Sequence, residues 1–152
     1  DWSSDVCSSD LSIAAPNYSR YQSKARQSEA KISLAAVFGL EKSFYAEYSS
    51  YIGSMDGIGY TPEGRRRFYS VGWSAYSGSV TGYGASTANQ SWSALLNTFT
   101  CTQTAASLAG DIGSNAQTFI VSASGCIRQG LATMDTWNIN DLKGLSNNNI
   151  AL

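Results

Sequence analysis

Glu41 is the residue of this chain whose type and position first invite chemistry. It falls inside the apolar arc of a helical stretch, and a carboxylate buried there demands a partner. The run Arg65, Arg66 and Arg67 is the obvious supplier, so an ion pair between Glu41 and one of these arginines is expected. The plainer alternative places Glu41 at a thin edge of the core. Asp135, Asn138, Asn140 and Asp141 gather oxygen atoms near one turn. Calcium wants six to eight oxygens, but the stretch lacks the spacing and the glycine of an EF-hand. These residues read as turn-forming Asx side chains, and no metal site is expected.

Nothing else in the chain forms a catalytic set. There is no histidine among 152 residues, so a base working near neutrality would need another residue type. No GxSxG, phosphate-binding glycine loop or CxxC pair is present. The many serines are loop material. Neither an enzyme nor a cofactor is expected. The net charge of −1 gives no electrostatic argument for nucleic acid or an acidic partner. With 43% hydrophobic residues, one globular domain with a sizeable core is the default.

The element that must position Glu41 is the stretch from Ala15 to Tyr51. After Pro16 it has no further proline and one glycine, Gly39. It is rich in Ala, Leu, Glu, Lys, Arg and Gln, which lose little freedom on entering a helix. Leu34, Val37, Phe38, Leu40, Phe44, Tyr45, Tyr48, Tyr51 and Ile52 share one arc of the helical wheel, whereas Lys31, Lys42 and Glu47 lie outside it. From Pro16 to Tyr51 such a helix is on the order of 50 Å long, more than a domain of this size needs. Arg20, Lys24, Arg26 and Lys31 make its first half basic, which reads as a solvated face. Tyr18, Tyr21, Phe38, Phe44, Tyr45, Tyr48 and Tyr51 read as core packing rather than a conducting path.

The helix is expected to end near Ile52, where GSMDGIGYTPEG reads as a turn-rich loop. A first strand is expected around Arg67 to Ala75. Trp92 to Phe99 is a short helix or strand, and Thr104 to Ala109 could add a helical turn. Strands follow at Gln117 to Gly125 and in ATMDTWNIN, where Asp135, Trp137 and Ile139 alternate against Met134, Thr136 and Asn138. A turn at Asn140 to Lys143 and a fourth strand at Gly144 to Asn147 complete an α+β pattern.

The stretch IAAPNYSRYQSKARQSEAKISLAAVFGLEKSFYAEYSSY resembles the second half of the N-terminal helix of a type IV pilin, the major pilins in particular. GYTPEGRRRFYSVGW resembles the loop and first strand of many pilins, and DTWNINDLKGLSN their final strands. The resemblance covers most of residues 12–147. It implies a long N-terminal helix packed on a four-stranded antiparallel sheet, with a helical spine at 12–52 and a globular head at 53–152. Pro16 would mark a kink or melted segment near the helix middle. The implied function is that of a type IV pilus subunit in adhesion, twitching motility or DNA uptake. A type II secretion pseudopilin and a minor, tip-located adhesin are the alternatives. The implied partners are other copies, bundled through an N-terminal apolar half-helix, the pilus assembly machinery, the inner membrane before assembly, and DNA or host surfaces. The implied location is an extracellular pilus, with the head periplasmic before assembly. A leader, its cleavage site and a methylated phenylalanine would lie upstream of Ser12. The remaining apolar run, LSIAA, is far below the roughly 20 residues that span a bilayer.

Residues 1–11, DWSSDVCSSDL, resemble a translated sequencing adapter and are expected to be foreign or disordered. Setting them aside takes three of the 11 acidic residues, leaving 8 against 10 basic and a net of +2. It also removes Cys7 and leaves Cys101 and Cys126. In an extracytoplasmic protein this pair is expected to form a disulfide, two buried thiols being the alternative. Such a link would contribute about 3 kcal/mol by loop entropy. Unlike the C-terminal loop of many pilins, the one it closes does not reach the chain end.

Overall fold

The computed structural model describes residues 6–64, 67–74, 91–92, 110–113 and 116–149. One helix, α1 (Val6–Tyr48, 43 residues), precedes six strands: β1 (Tyr69–Gly72), β2 (Ser91–Trp92), β3 (Asp111–Ile112), β4 (Phe119–Gly125), β5 (Asp135–Asn140) and β6 (Leu145–Asn149). The fold is α+β, a long N-terminal helix on an antiparallel sheet. Among the described residues the sheet has six strands rather than the four expected, in the order β2-β1-β4-β5-β6 with β3 also paired to β4. The two extra strands are two residues each. A pair that short carries no readable alternation, and only the neighbouring strand's free backbone groups create it.

The helix begins upstream of Ser12 and takes in Val6 to Leu11, part of the segment expected to be foreign or disordered. Its assignment continues through Pro16. It stops at Tyr48 because Ser49 turns left-handed, at φ 55°, while its N–H still reaches the Tyr45 carbonyl at 2.8 Å. This is a helix-ending geometry that glycine usually supplies.

The sheet is built around β4, the longest strand. Along one edge β3 pairs with Phe119 and Ile120, and β1 with Ser122 to Gly125. Gly110 sits where these two partners meet. A Cβ there would lie 2.8 Å from the carbonyl oxygens of both Gly72 and Ile120, so any larger residue would force the backbones apart. Along the other edge β4 runs in register with β5 from Ile120–Asn140 to Gly125–Asp135.

The helix lays one seam on this sheet. Ser23, Gln27, Ala30, Leu34, Val37, Glu41 and Phe44 are all buried, at alternating steps of four and three residues. Leu34 and Val37 join Val71, Phe119, Val121, Ala123 and Ile139 in the core, with Phe38, Leu40, Tyr45, Tyr48 and Trp137 packed partly buried against it. The aromatic reading fails at Tyr18 and Tyr21, which are 66% and 71% exposed. Both lie outside the seam of buried residues.

The loop after α1 is core rather than surface. Tyr51, Ile52, Met55, Ile58 and Tyr60 are buried, and Tyr51 stacks against Tyr45 and meets Phe119 edge-on, at centroid distances of 4.6 and 4.7 Å. Its glycines and turns let a short segment fold back under the helix, so its apolar residues close the core.

Candidate functional site

The polar seam between helix and sheet centres on Asp135, at the start of β5 and fully buried. Four side-chain donors converge on its carboxylate. Tyr69 Oη and Trp137 Nε1 donate to Oδ2 at 2.5 and 2.6 Å; Gln27 Nε2 and Asn147 Nδ2 donate to Oδ1 at 3.2 Å each. They come from α1, β1, β5 and β6, so one side chain ties four elements together. Burial and the neighbouring Asp135 carboxylate hold the Tyr69 phenol well above its ordinary range, so it stays a donor. With both oxygens engaged, Asp135 fastens these elements to one another. Among the described residues, no group of three or more acidic or cysteine side chains could hold a metal.

Glu41 is equally buried and far less well served. Its Oε2 accepts from the Ile52 N–H at 3.4 Å, and its Oε1 has no hydrogen-bond partner. Burial raises its pKa to about 8, against which the Ile52 N–H acts only weakly. Among the described residues no cation reaches it. The Arg67 guanidinium lies over the Trp92 ring, 5.5 Å from its centroid, so the Glu41 to Arg67 pair is not formed. Arg65 and Arg66 fall outside the described residues. Among the described residues, desolvation governs this carboxyl.

Two flanks of α1 differ in charge. Toward β5, Lys31 places its ammonium 4.4 Å from the Trp137 ring centroid and Lys42 donates to Tyr51 Oη at 2.6 Å. Toward β1, Glu29 Oε1 accepts from the N–H groups of Phe68 and Tyr69, at 2.8 and 3.3 Å, anchoring the helix to the strand. Between the flanks, Arg26 donates to the Ile127 carbonyl and lies over Phe68, 4.9 Å from its centroid. The basic first half of the helix is therefore not merely solvated: Arg26 and Lys31 are packed onto the sheet.

A groove of about 550 Å³ opens between the Glu29 flank, the loop at Gly59 to Glu63 and the β1–β2 edge. Ile32, Ala36, Leu40 and Trp92 give it apolar walls, and Glu29 and Glu63 give it carboxylates. Of the expected disulfide, Cys126 is buried just beyond β4 and Cys101 lies outside the described residues. No short-range pattern marks the Asp135 cluster, because its donors are spread from residue 27 to residue 147.

No helix among the described residues is long and apolar enough to cross a membrane. No model of a known protein family matches the chain. Over 56 residues it is 40% identical to the type IV major pilin protein PilA of Myxococcus xanthus (strain DK1622). The match takes in 37% of this chain and 26% of that protein, so the chain spans about a quarter of the relative's length.

Proposed function

We propose that this chain is a structural subunit of a type IV pilus, acting by assembly and not by catalysis. The supporting observation is the long helix packed along an antiparallel sheet, in a chain 40% identical over 56 residues to a type IV major pilin. A helix of 43 residues is about 65 Å long at 1.5 Å per residue, which exceeds what the sheet beneath it can cover. The surplus is suited to packing against other copies. On this reading an apolar N-terminal half of the helix bundles in the filament core, Pro16 marks the weakened turn between the halves, and the heads form the surface. Adhesion, twitching motility or DNA uptake would then be functions of the filament. The head is extracellular in the pilus and periplasmic on a membrane-held subunit before assembly. Cys101 and Cys126 form a disulfide under the same reading, since both compartments are oxidising.

The test is to shear surface filaments from the source bacterium and identify their subunits by mass spectrometry, with the coding DNA read upstream of Leu11. Peptides of this chain in the filaments, Cys101 linked to Cys126, and an upstream leader with a long apolar run are the expected results. Surface fractions without the chain, from cells that express it, would overturn the reading.

A further inference from the structure

On a helix of 3.6 residues per turn, Arg20, Lys24, Lys31 and Lys42 fall within a sector of about 40°, and Glu29 and Glu47 coincide on roughly the opposite side. The seam of buried residues lies between them, so the two flanks face opposite lateral sides of the head. The structure agrees, because Lys31 leans on β5 while Glu29 leans on β1. The flanks are also incompletely used. Among the described residues, Arg20 and Lys24 on one side and Glu47 and Glu63 on the other are exposed.

The acidic flank is shaped as well as charged. Glu29 and Glu63 line the groove, whose apolar wall includes Ile32, 69% exposed, together with Ala36 and Leu40. Glu29 uses Oε1 for the strand while lining the groove. Arg67, the groove's cation, is held over Trp92. Glu47 lines a smaller depression further along the same flank, which shares Leu40. An aliphatic wall bordered by carboxylates matches a lysine or arginine side chain, whose stem is apolar and whose head is cationic.

We infer that a second copy of this chain docks side by side with the first, the Arg20–Lys24 flank of one seated on the Glu29–Glu63 groove and Glu47 of the next. The contact joins two different surfaces. Each copy therefore keeps one flank open, and the arrangement extends instead of closing as a two-fold dimer would. The inference rests on the pilus reading for its purpose, but its chemistry stands on the two flanks alone.

Sedimentation of the 152-residue chain tests it, at low and at high salt. Self-association at low salt that weakens as salt screens the exposed pairs is expected. Reversing one flank, by Arg20→Glu with Lys24→Glu or by Glu47→Lys with Glu63→Lys, should weaken it about tenfold. Mixing the two reversed variants should restore association, because one then carries acidic residues on both flanks and the other basic residues. All four positions are exposed, so circular dichroism should show unchanged folding. A wild-type chain that stays monomeric at every concentration overturns the inference. So do single-flank variants that associate like wild type, or a mixture that fails to recover. The same variants in cells separate the two ideas. Filaments that contain the chain and tolerate both reversals overturn this contact only, whereas filaments lacking the chain overturn the pilus reading and leave the solution contact standing.

Discussion

Asp135 and Glu41 are both fully buried beneath the same helix, and the chain treats them in opposite ways. Asp135 receives four side-chain donors, two on each oxygen. Glu41 receives one long backbone N–H and leaves an oxygen without a partner. The difference teaches that burial alone does not set a carboxylate's role. Where donors converge, the charge becomes a fastening; where they do not, the cheapest state is the neutral acid. The N-terminal half of the seam is held by hydrogen bonds, and the C-terminal half, around Leu34, Val37 and Phe44, by apolar packing.

The comparison breaks first at Asp135. Asp135→Ala strands four donors at once, two of them in buried bonds, and should lower stability by about 3–5 kcal/mol, measured by urea denaturation. A loss under about 1 kcal/mol would show that the cluster fastens nothing.

Glu41→Gln should go the other way. The folded pKa of Glu41 is raised, from 4.5 to about 8, so the folded state holds a proton that the unfolded state releases. The contribution is fully present below pH 4.5 and declines as pH rises toward 8, by on the order of 1 kcal/mol per pH unit. The glutamine variant lacks that slope and should exceed wild type by about 4 kcal/mol near pH 8 while matching it near pH 4. Parallel stability curves for the two proteins across this range would refute the neutral-acid assignment.

Tyr69→Phe removes one donor from Asp135 without opening a cavity, and its expected cost is about 1.5–3 kcal/mol. Thermal melts of the single and the double variant with Asp135→Asn should be non-additive, because the two groups share one bond. Full additivity would mean that the short Tyr69 contact contributes independently of the carboxylate.

The smallest effect lies at the β5–β6 turn that brings Asn147 back to Asp135. Lys143 sits there at φ 64°, a conformation that costs a side chain and suits glycine. Lys143→Gly should change stability by only about 0.5 kcal/mol, in the stabilising direction. A clear destabilisation would reveal that the lysine side chain, not the turn, holds β6 in place.

Much of the frame was legible because its signals are local. Absence of proline between Pro16 and Tyr51 and an apolar arc mark the helix, and Asp135, Trp137 and Ile139 alternate as a strand's inner face should. The polar half of the seam was not legible, because Ser23 and Gln27 look like surface residues until Asp135 is placed opposite them. Glu41 could be singled out from its position on the wheel, but its partner could not. The group that meets it among the described residues is the N–H of Ile52, a backbone donor that residue type does not mark.

Residue order alone is enough for the helix, the period-two strands and the segregation of charge around the helix. Each follows from residue type and short-range spacing. Only the tertiary structure decided which buried acid is satisfied, that the glycine-rich loop after Tyr48 supplies core, and that two-residue strands extend the sheet. Those outcomes depend on groups distant in the chain meeting within hydrogen-bonding or packing distance, and short-range spacing carries no record of them.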